Sequence, residues 1–348
     1  MKISVEIGGY GVRVATQHRK KIEMVEIGNS SSPYSIPSKA IVTDNGNILV
    51  GNNIWLNKLI QGKEIFLDEI DYNEVDFESV YGALFNYINQ RVNMAYQENV
   101  SEIVIITPPS FVTNDPRKAK IKNAINALGI RNVSFVSSDI AYCYNSSVLI
   151  SNEEAVLIYN AGYNTTQISV VKRIGGQLIS LACKQIQGMG GRFFDSYIYK
   201  DIEKTAEIEY NDSCQLMQVE HIAGLCGIIK EELSRTESVT IPLPFSSHHY
   251  TLKRAQFESM IKNDIEHSIK ETFNCVNESK IPLSEIKKII LIGGSSQIPY
   301  IQKLLSLTFN VGEGEKKEIL HPRNSTSAMW ECCMGGLLIQ NSGTILNL

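Results

Sequence analysis

Two stretches of the chain carry the residue types of a turn that wraps a phosphate. "LIYNAGYNTTQISVV", Leu157 to Val171, begins as an apolar run, turns on small and polar residues, and resumes as an alternating strand. Backbone N–H groups approach a phosphate closely only where side chains are small. The turn holds no carboxylate, and Tyr163 stands at its tip. "KISVEIGGYGVRVAT", Lys2 to Thr16, follows the same plan around Gly8, Gly9 and Gly11. Each stretch opens one half of the chain, so the halves echo each other. Tandem α/β lobes opening with such hairpins are an organisation that places a ligand in the cleft between lobes.

The elements that must position these turns are legible in outline. "HRKK" at His18–Lys21 is the densest basic run and reads as a solvated hairpin turn rather than a binding patch. Asn45-Gly46 offers a second hairpin turn. The apolar spacing from Glu74 to Tyr96 is helical. "SEIVIITPPS" is a buried strand stopped by Pro-Pro. In "DPRKAKIKNAINALGI", Asp115 caps a helix, Pro116 starts it and Gly129 ends it. "NVSFVSS" is the next strand, and a helix runs from Asp139 to Val148. This alternation implies parallel pairing. In the second half, "GMGGRFFDSYIYKDIEK" is a glycine-rich turn entering a helix, and residues 215–235 are helical. "SVTIPLPF" and "HHYTLKRAQF" form a strand pair ahead of a long amphipathic helix. "IKKIILIGGSSQIPYIQKLLSL" reads strand, Gly-Gly turn, helix.

Bulk composition narrows the function classes. The 348 residues suffice for two lobes, expected at 1–150 and 151–348. Hydrophobic residues make up 43%, which fits a globular chain. A net charge of −4 without a long basic block argues against nucleic acid or an anionic membrane as partner. No apolar run reaches the roughly 18 residues of a membrane span, and the N-terminus lacks a signal peptide's apolar core. The 7 cysteines are scattered without a C-x-x-C pair, so neither a zinc site nor a disulfide framework is expected. A reducing cytoplasm fits. His248 and His249 adjoin, but neighbours on a strand point to opposite faces and make a poor metal pair.

Six segments together resemble one family. They are "IPSKAIV" from Ile36, "ILVGNNI" from Ile48, "VIITPPSFVTNDPRKAKIKNAINALGI", "GMGGRFFDSYI", "YTLKRAQFE" and "IILIGGSSQIPYIQKLL". In this order and spacing they resemble the ATPase domain of the seventy-kilodalton heat-shock chaperones, within the actin and sugar-kinase superfamily. The resemblance implies an α/β, actin-like ATPase fold of two similar lobes around a central nucleotide cleft, with ATP or ADP and Mg²⁺ as ligands. Set against the family, the expectation is that the linker and substrate-binding domain are absent. "TIL" near the C-terminus is either a linker-like docking strand or a frayed end.

The resemblance also assigns residues. Gly8, Gly9 and Tyr10 stand at the first phosphate loop, and Glu6 replaces the aspartate that faces the metal, through water. Gly9 and Tyr10 replace two threonines. At the second loop Gly162 and Thr165 match, Asn160 replaces an aspartate, and Tyr163 and Asn164 replace glycines. Trp55 stands where the catalytic lysine is expected, and Lys58, a turn further on, either reaches inward or is solvated. Ser138 stands near the position of a glutamate; Asp139 beside it is a substitute or a helix cap. Pro109 and Arg117 match a switch proline and an arginine. Gly190 and Gly191 match the Gly-Gly turn. Lys230 matches a lysine along the nucleoside, and Gly293, Gly294, Ser295 and Ser296 match the adenosine turn.

Metal, base and cation positions thus change together while fold-determining positions persist. The expectation is a pseudo-ATPase with weak or no adenine-nucleotide binding, serving a protein partner as an interaction or scaffold module. Two alternatives stand beside it. One is an active Mg-ATP-dependent ATPase rebuilt on Glu6 and Lys58, the other an actin-like filament protein. A further reading makes the glycines turn residues only, with Tyr10 and Tyr163 filling the cleft.

Overall fold

A computed structural model describes residues 1–56, 62–68, 76–112, 114–145, 150–205, 215–243, 249–311, 317–321 and 330–339. The chain divides into two compact units. One comprises Met1–Val156, Ser169–Cys183 and Pro322–Leu348, the other Leu157–Ile168 and Lys184–His321.

The first unit is built on β1 (Lys2–Ile7), β2 (Gly11–His18), β3 (Lys21–Met24), β4 (Ile36–Pro37), β5 (Lys39–Thr43), β6 (Ile48–Val50), α1 (Asn52–Leu56), β7 (Gly62–Phe66), α2 (Phe77–Tyr96), β8 (Glu102–Thr107), α3 (Pro116–Ala127), β9 (Asn132–Ser137) and α4 (Ser138–Asn145). Its main sheet runs β3-β2-β1-β8-β9, with β4 on β2. The β1–β2 and β2–β3 pairs are antiparallel hairpins, while β1–β8 and β8–β9 are parallel. Arg19 and Lys20 take positive φ at the β2–β3 turn, so the basic run is a hairpin tip. The turn at Asn45-Gly46 joins β5 to β6. Asp115 caps α3 through the Arg117 amide at 2.9 Å, with Pro116 in its first turn. The expected helix from Asp139 begins at Ser138 and is described to Asn145; residues 146–149 lie outside the described residues.

Both faces of this sheet are covered, which is why β1, β2 and β8 are almost continuously buried. Ile3, Val5, Ile103 and Ile105 share a core with Val80, Leu84 and Ile88 of α2 and Ile121 and Ile125 of α3. The opposite face meets α9 (Glu331–Leu338). A Cβ at Gly336 would overlap the Ser4 hydroxyl, and one at Gly335 the Ala141 carbonyl of α4. The last helix therefore groups with the first unit, whereas a cut at residue 150 places it in the second lobe.

The second sheet has the order β12 (Gln177–Gln187), β11 (Thr165–Ile174), β10 (Ala155–Ala161), β15 (Lys288–Ile292), β16 (Glu318–Leu320). Around it lie α5 (Gly191–Thr205), α6 (Gln215–Leu233), the β13 (Ser238–Pro242) and β14 (His249–Lys253) hairpin, α7 (Arg254–Glu278) and α8 (Pro299–Thr308). Within the second unit Tyr159 of β10 and Ser268 of α7 share a buried hydrogen bond of 2.6 Å. Phe273 stacks on Phe309, tying α7 to the end of α8.

Candidate functional site

The sequence-derived candidates fall into two groups, one in each unit. Glu6, Gly8, Gly9, Tyr10, Trp55 and Ser138 belong to the first; Asn160, Gly162, Tyr163, Thr165, Gly190, Gly191, Lys230 and Gly293 to Ser296 belong to the second.

In the first group the hairpin is closed by the Gly8 amide donating to the Gly11 carbonyl at 3.2 Å. Tyr10 at its tip is 67% exposed. Glu6 sits directly opposite Arg13 in the β1–β2 register. The Arg13 guanidinium lies 3.8 Å from Glu6 Oε2, and the two side chains are 9% and 19% exposed. Burial pushes the Glu6 carboxyl upward, and the guanidinium partly offsets it. Oε2 accepts no hydrogen bond from a described residue, so charge alone holds it. Arg13 went unassigned in the sequence reading, yet "GVRVAT" carries its signal. An arginine between valines on a strand covered from both sides cannot shed its proton and must find a counter-charge.

Ser138 is the first residue of α4, and Asp139 lies inside its first turn rather than at a cap position. The Asp139 carboxylate accepts from the Ile140 amide and the Ser180 hydroxyl, both at 2.8 Å. Its place is thus defined by protein donors. Trp55 falls in α1; Lys58 lies outside the described residues, as do Cys214, His248 and the "TIL" stretch. Pro109 accepts the Cys183 thiol through its carbonyl. Arg117 forms a forked pair with Asp115, Nε at 2.9 Å and Nη2 at 2.7 Å, and lies over the Phe111 ring. A cavity of about 40 Å³ in this unit is lined by Ile7, Tyr81, Thr107, Phe111 and Arg117, and Arg117 is the one residue of its lining that the resemblance assigns.

The second group is drawn into one knot. The Gly162 amide donates to Thr165 at 3.0 Å, repeating at the same place the bond that closes the first hairpin. The Gly162 carbonyl then accepts from the Gly191 amide and the Ser295 hydroxyl, each at 3.0 Å. The Tyr163 carbonyl accepts from the Arg192 amide. A Cβ at Gly190 would overlap that same carbonyl, so the Gly-Gly turn needs glycine to pack on the hairpin tip. Lys230 closes the other side, donating to Asp195 at 2.6 Å and the Gly191 carbonyl at 3.0 Å. Gly293 has φ +81° and lies against Ala161 and the Asn160 amide oxygen, a place no side chain could share. Gly294 is open on its Cβ side, and Ser296 is fixed by its bond to the Gly293 carbonyl.

Gly294 leaves the turn open on its Cβ side, while the Lys230 ammonium is bonded to Asp195 and Gly191 and the Ser295 hydroxyl to Gly162. Mg²⁺ fits poorly. Its hairpin carboxylate is matched with a guanidinium, and the second hairpin offers a neutral amide. Among the described residues no cluster of three or more His, Cys, Asp or Glu side chains is suited to hold a metal ion. No described helix is long and apolar enough to cross a membrane.

Two sheets, each led by a glycine hairpin closed by the same amide bond, define an actin-like ATPase fold. The family model described as Hsp70 protein matches residues 55–321. The chaperone protein DnaK of Ureaplasma parvum serovar 3 is 26% identical over 375 aligned positions, covering 99% of this chain and 60% of its own length. DnaK of Ureaplasma urealyticum serovar 10 is 25% identical with the same coverage. The chaperone protein HscA of Buchnera aphidicola subsp. Baizongia pistaciae is 26% identical over 67% of this chain and 45% of its own. The chain belongs to the Hsp70 family and corresponds to its nucleotide-binding domain. It spans 60% of the length of the DnaK relatives it matches.

Proposed function

We propose that this protein is a chaperone-type nucleotide-binding domain turned pseudo-ATPase, acting in the cytoplasm as an interaction or scaffold module for a protein partner. Gly293, Gly294, Ser295, Ser296 and Lys230 receive an adenine nucleoside weakly. Gly8, Gly9, Tyr10, Gly162, Tyr163, Thr165, Gly190 and Gly191 form what remains of the phosphate loops. The observation that carries this reading is the Glu6–Arg13 pair. Phosphoryl transfer needs a metal held by carboxylates and a group that orients the attacking water. Here the surviving carboxylate is matched with a guanidinium, and Asn160 is an amide that cannot act as a base. Loss of water orientation and of charge stabilisation each costs on the order of 10² in rate. The test is phosphate release from Mg-ATP by the purified chain and by Glu6→Ala. Both are expected at the buffer rate. Steady turnover that Glu6→Ala abolishes overturns the reading.

A further inference from the structure

We propose that the Tyr163 ring is a built-in occupant of the nucleoside turn, and that it sets how tightly the second unit receives an adenine nucleoside. This rests on the reading above that Lys230 and Gly293 to Ser296 face that nucleoside, and it concerns the second unit alone.

Three side chains meet at one point. A Cβ built on Gly191 would have the Lys230 ammonium at 3.0 Å, the Ser295 hydroxyl at 3.1 Å and Cδ2 of the Tyr163 ring at 3.3 Å. They come from three separate places, α6, the Gly293 to Ser296 turn and the tip of the second hairpin, and share the face that Gly191 leaves without a side chain. Two of them are the groups assigned to the nucleoside. The third is an aromatic ring, set where the resemblance expects glycine, and it packs where the flat face of a base would otherwise lie.

The backbone holds the ring there. The Gly162 carbonyl accepts from the Gly191 amide and the Ser295 hydroxyl, and the Tyr163 carbonyl accepts from the Arg192 amide at 2.9 Å. Beyond the tip Asn164 is buried, and the Thr166 hydroxyl donates to the Met189 carbonyl at 3.1 Å. With the chain fixed on both sides, the ring moves by rotation about its own side-chain bonds.

The same bonds set the ligand class. The leading amides of α5, an ordinary seat for an anion, are spent on the two hairpin carbonyls. The Lys230 charge is matched by Asp195 at 2.6 Å. This face of Gly191 therefore favours an uncharged, planar group over an anion, and a nucleoside without its phosphates is such a group.

The experiment is calorimetric titration of the full chain with adenosine. The wild type and Tyr163→Phe, which keeps the ring, are expected to bind weakly and alike. Tyr163→Ala, which removes it, is expected to bind about tenfold more tightly, the factor for a ring seated about nine-tenths of the time. Tyr163→Val keeps part of the packing, guards against loss of the fold, and is expected to show a gain of the same sign. Melting temperatures read alongside are expected to rise further with adenosine in Tyr163→Ala than in the wild type. Affinity that is equal in the wild type and in both ring-deleted variants, or weaker in those variants, overturns the inference and leaves the nucleoside reading standing. No adenosine binding by any of the four proteins overturns both.

Discussion

Lys230 and Asp195, 35 residues apart, are joined at 2.6 Å between α6 and the N-terminal half of α5. Both side chains are largely buried, at 11% and 17% exposure, and the ammonium also holds the Gly191 carbonyl. Burial raises the Asp195 carboxyl, and Lys230 works against that rise. Lys230→Met leaves the carboxylate without its counter-charge and is expected to lower unfolding free energy by about 2–4 kcal/mol in urea titrations at neutral pH. In the variant the folded pKa lies still further above the unfolded value near 4. A raised group contributes stability that is complete below its unfolded pKa and is lost as pH rises through the folded one. The deficit should therefore shrink toward pH 4; a deficit independent of pH would show that Lys230 acts by packing alone.

Local chemistry made much of this fold readable. The basic hairpin tip, the Asn45-Gly46 turn, the Asp115 cap and the long α7 each depend on a few adjacent residues, and each stands where residue type alone puts it. Strand and helix alternation implied parallel pairing in the first half, as β8 with β9 shows, but not that β1 would lie beside β8. What sequence did not disclose depends on register and distance. Arg13 is seven residues from Glu6, and only the pairing of β1 with β2 makes them neighbours. The glycines of "GMGG" read as phosphate contacts, yet the packing of Gly190 on Tyr163 requires glycine there whether or not a phosphate binds.

The seam between α9 and α4 admits no added carbon. Gly335→Ala would drive a methyl into the Ala141 carbonyl, and backbone cannot turn aside as a side chain can. Overpacking of this kind is expected to cost about 2–3 kcal/mol. The loss should appear as a lower urea midpoint with an unchanged slope. A midpoint equal to the wild type would mean that α9 is not seated against α4.

Thiol labelling reads the same seam chemically. Among the described residues Cys143, Cys226, Cys275, Cys332 and Cys333 are buried and Cys183 is partly exposed. Burial pushes the Cys226 thiol up to about 12 and drives Cys143, Cys332 and Cys333 upward as well. A buried, protonated thiol is a poor nucleophile. Iodoacetamide on the native protein, read by peptide mass spectrometry, should label Cys183 well ahead of these five, which become reactive in denaturant. Early labelling of Cys332 or Cys333 would contradict the burial of α9 beneath the first hairpin.

Asp115 offers the opposite pH dependence. The Arg117 side chain, bonded through Nε and Nη2, holds its carboxyl below the usual aspartate range, and the capped amide adds to this. A lowered group contributes stability that is present above its unfolded pKa and lost as pH falls through the folded one. Asp115→Asn keeps an acceptor for the Arg117 amide but removes the ion pair. Because Arg117 is 33% exposed, solvent screens the pair, and the expected cost at pH 7 is about 0.5–1 kcal/mol. That difference should persist down to about pH 4, the unfolded aspartate value, and close below it as Asp115 protonates. Urea unfolding of both proteins across this range checks it. A difference that stays constant into acid would place the stabilisation in the cap hydrogen bond and not in the charge of Asp115.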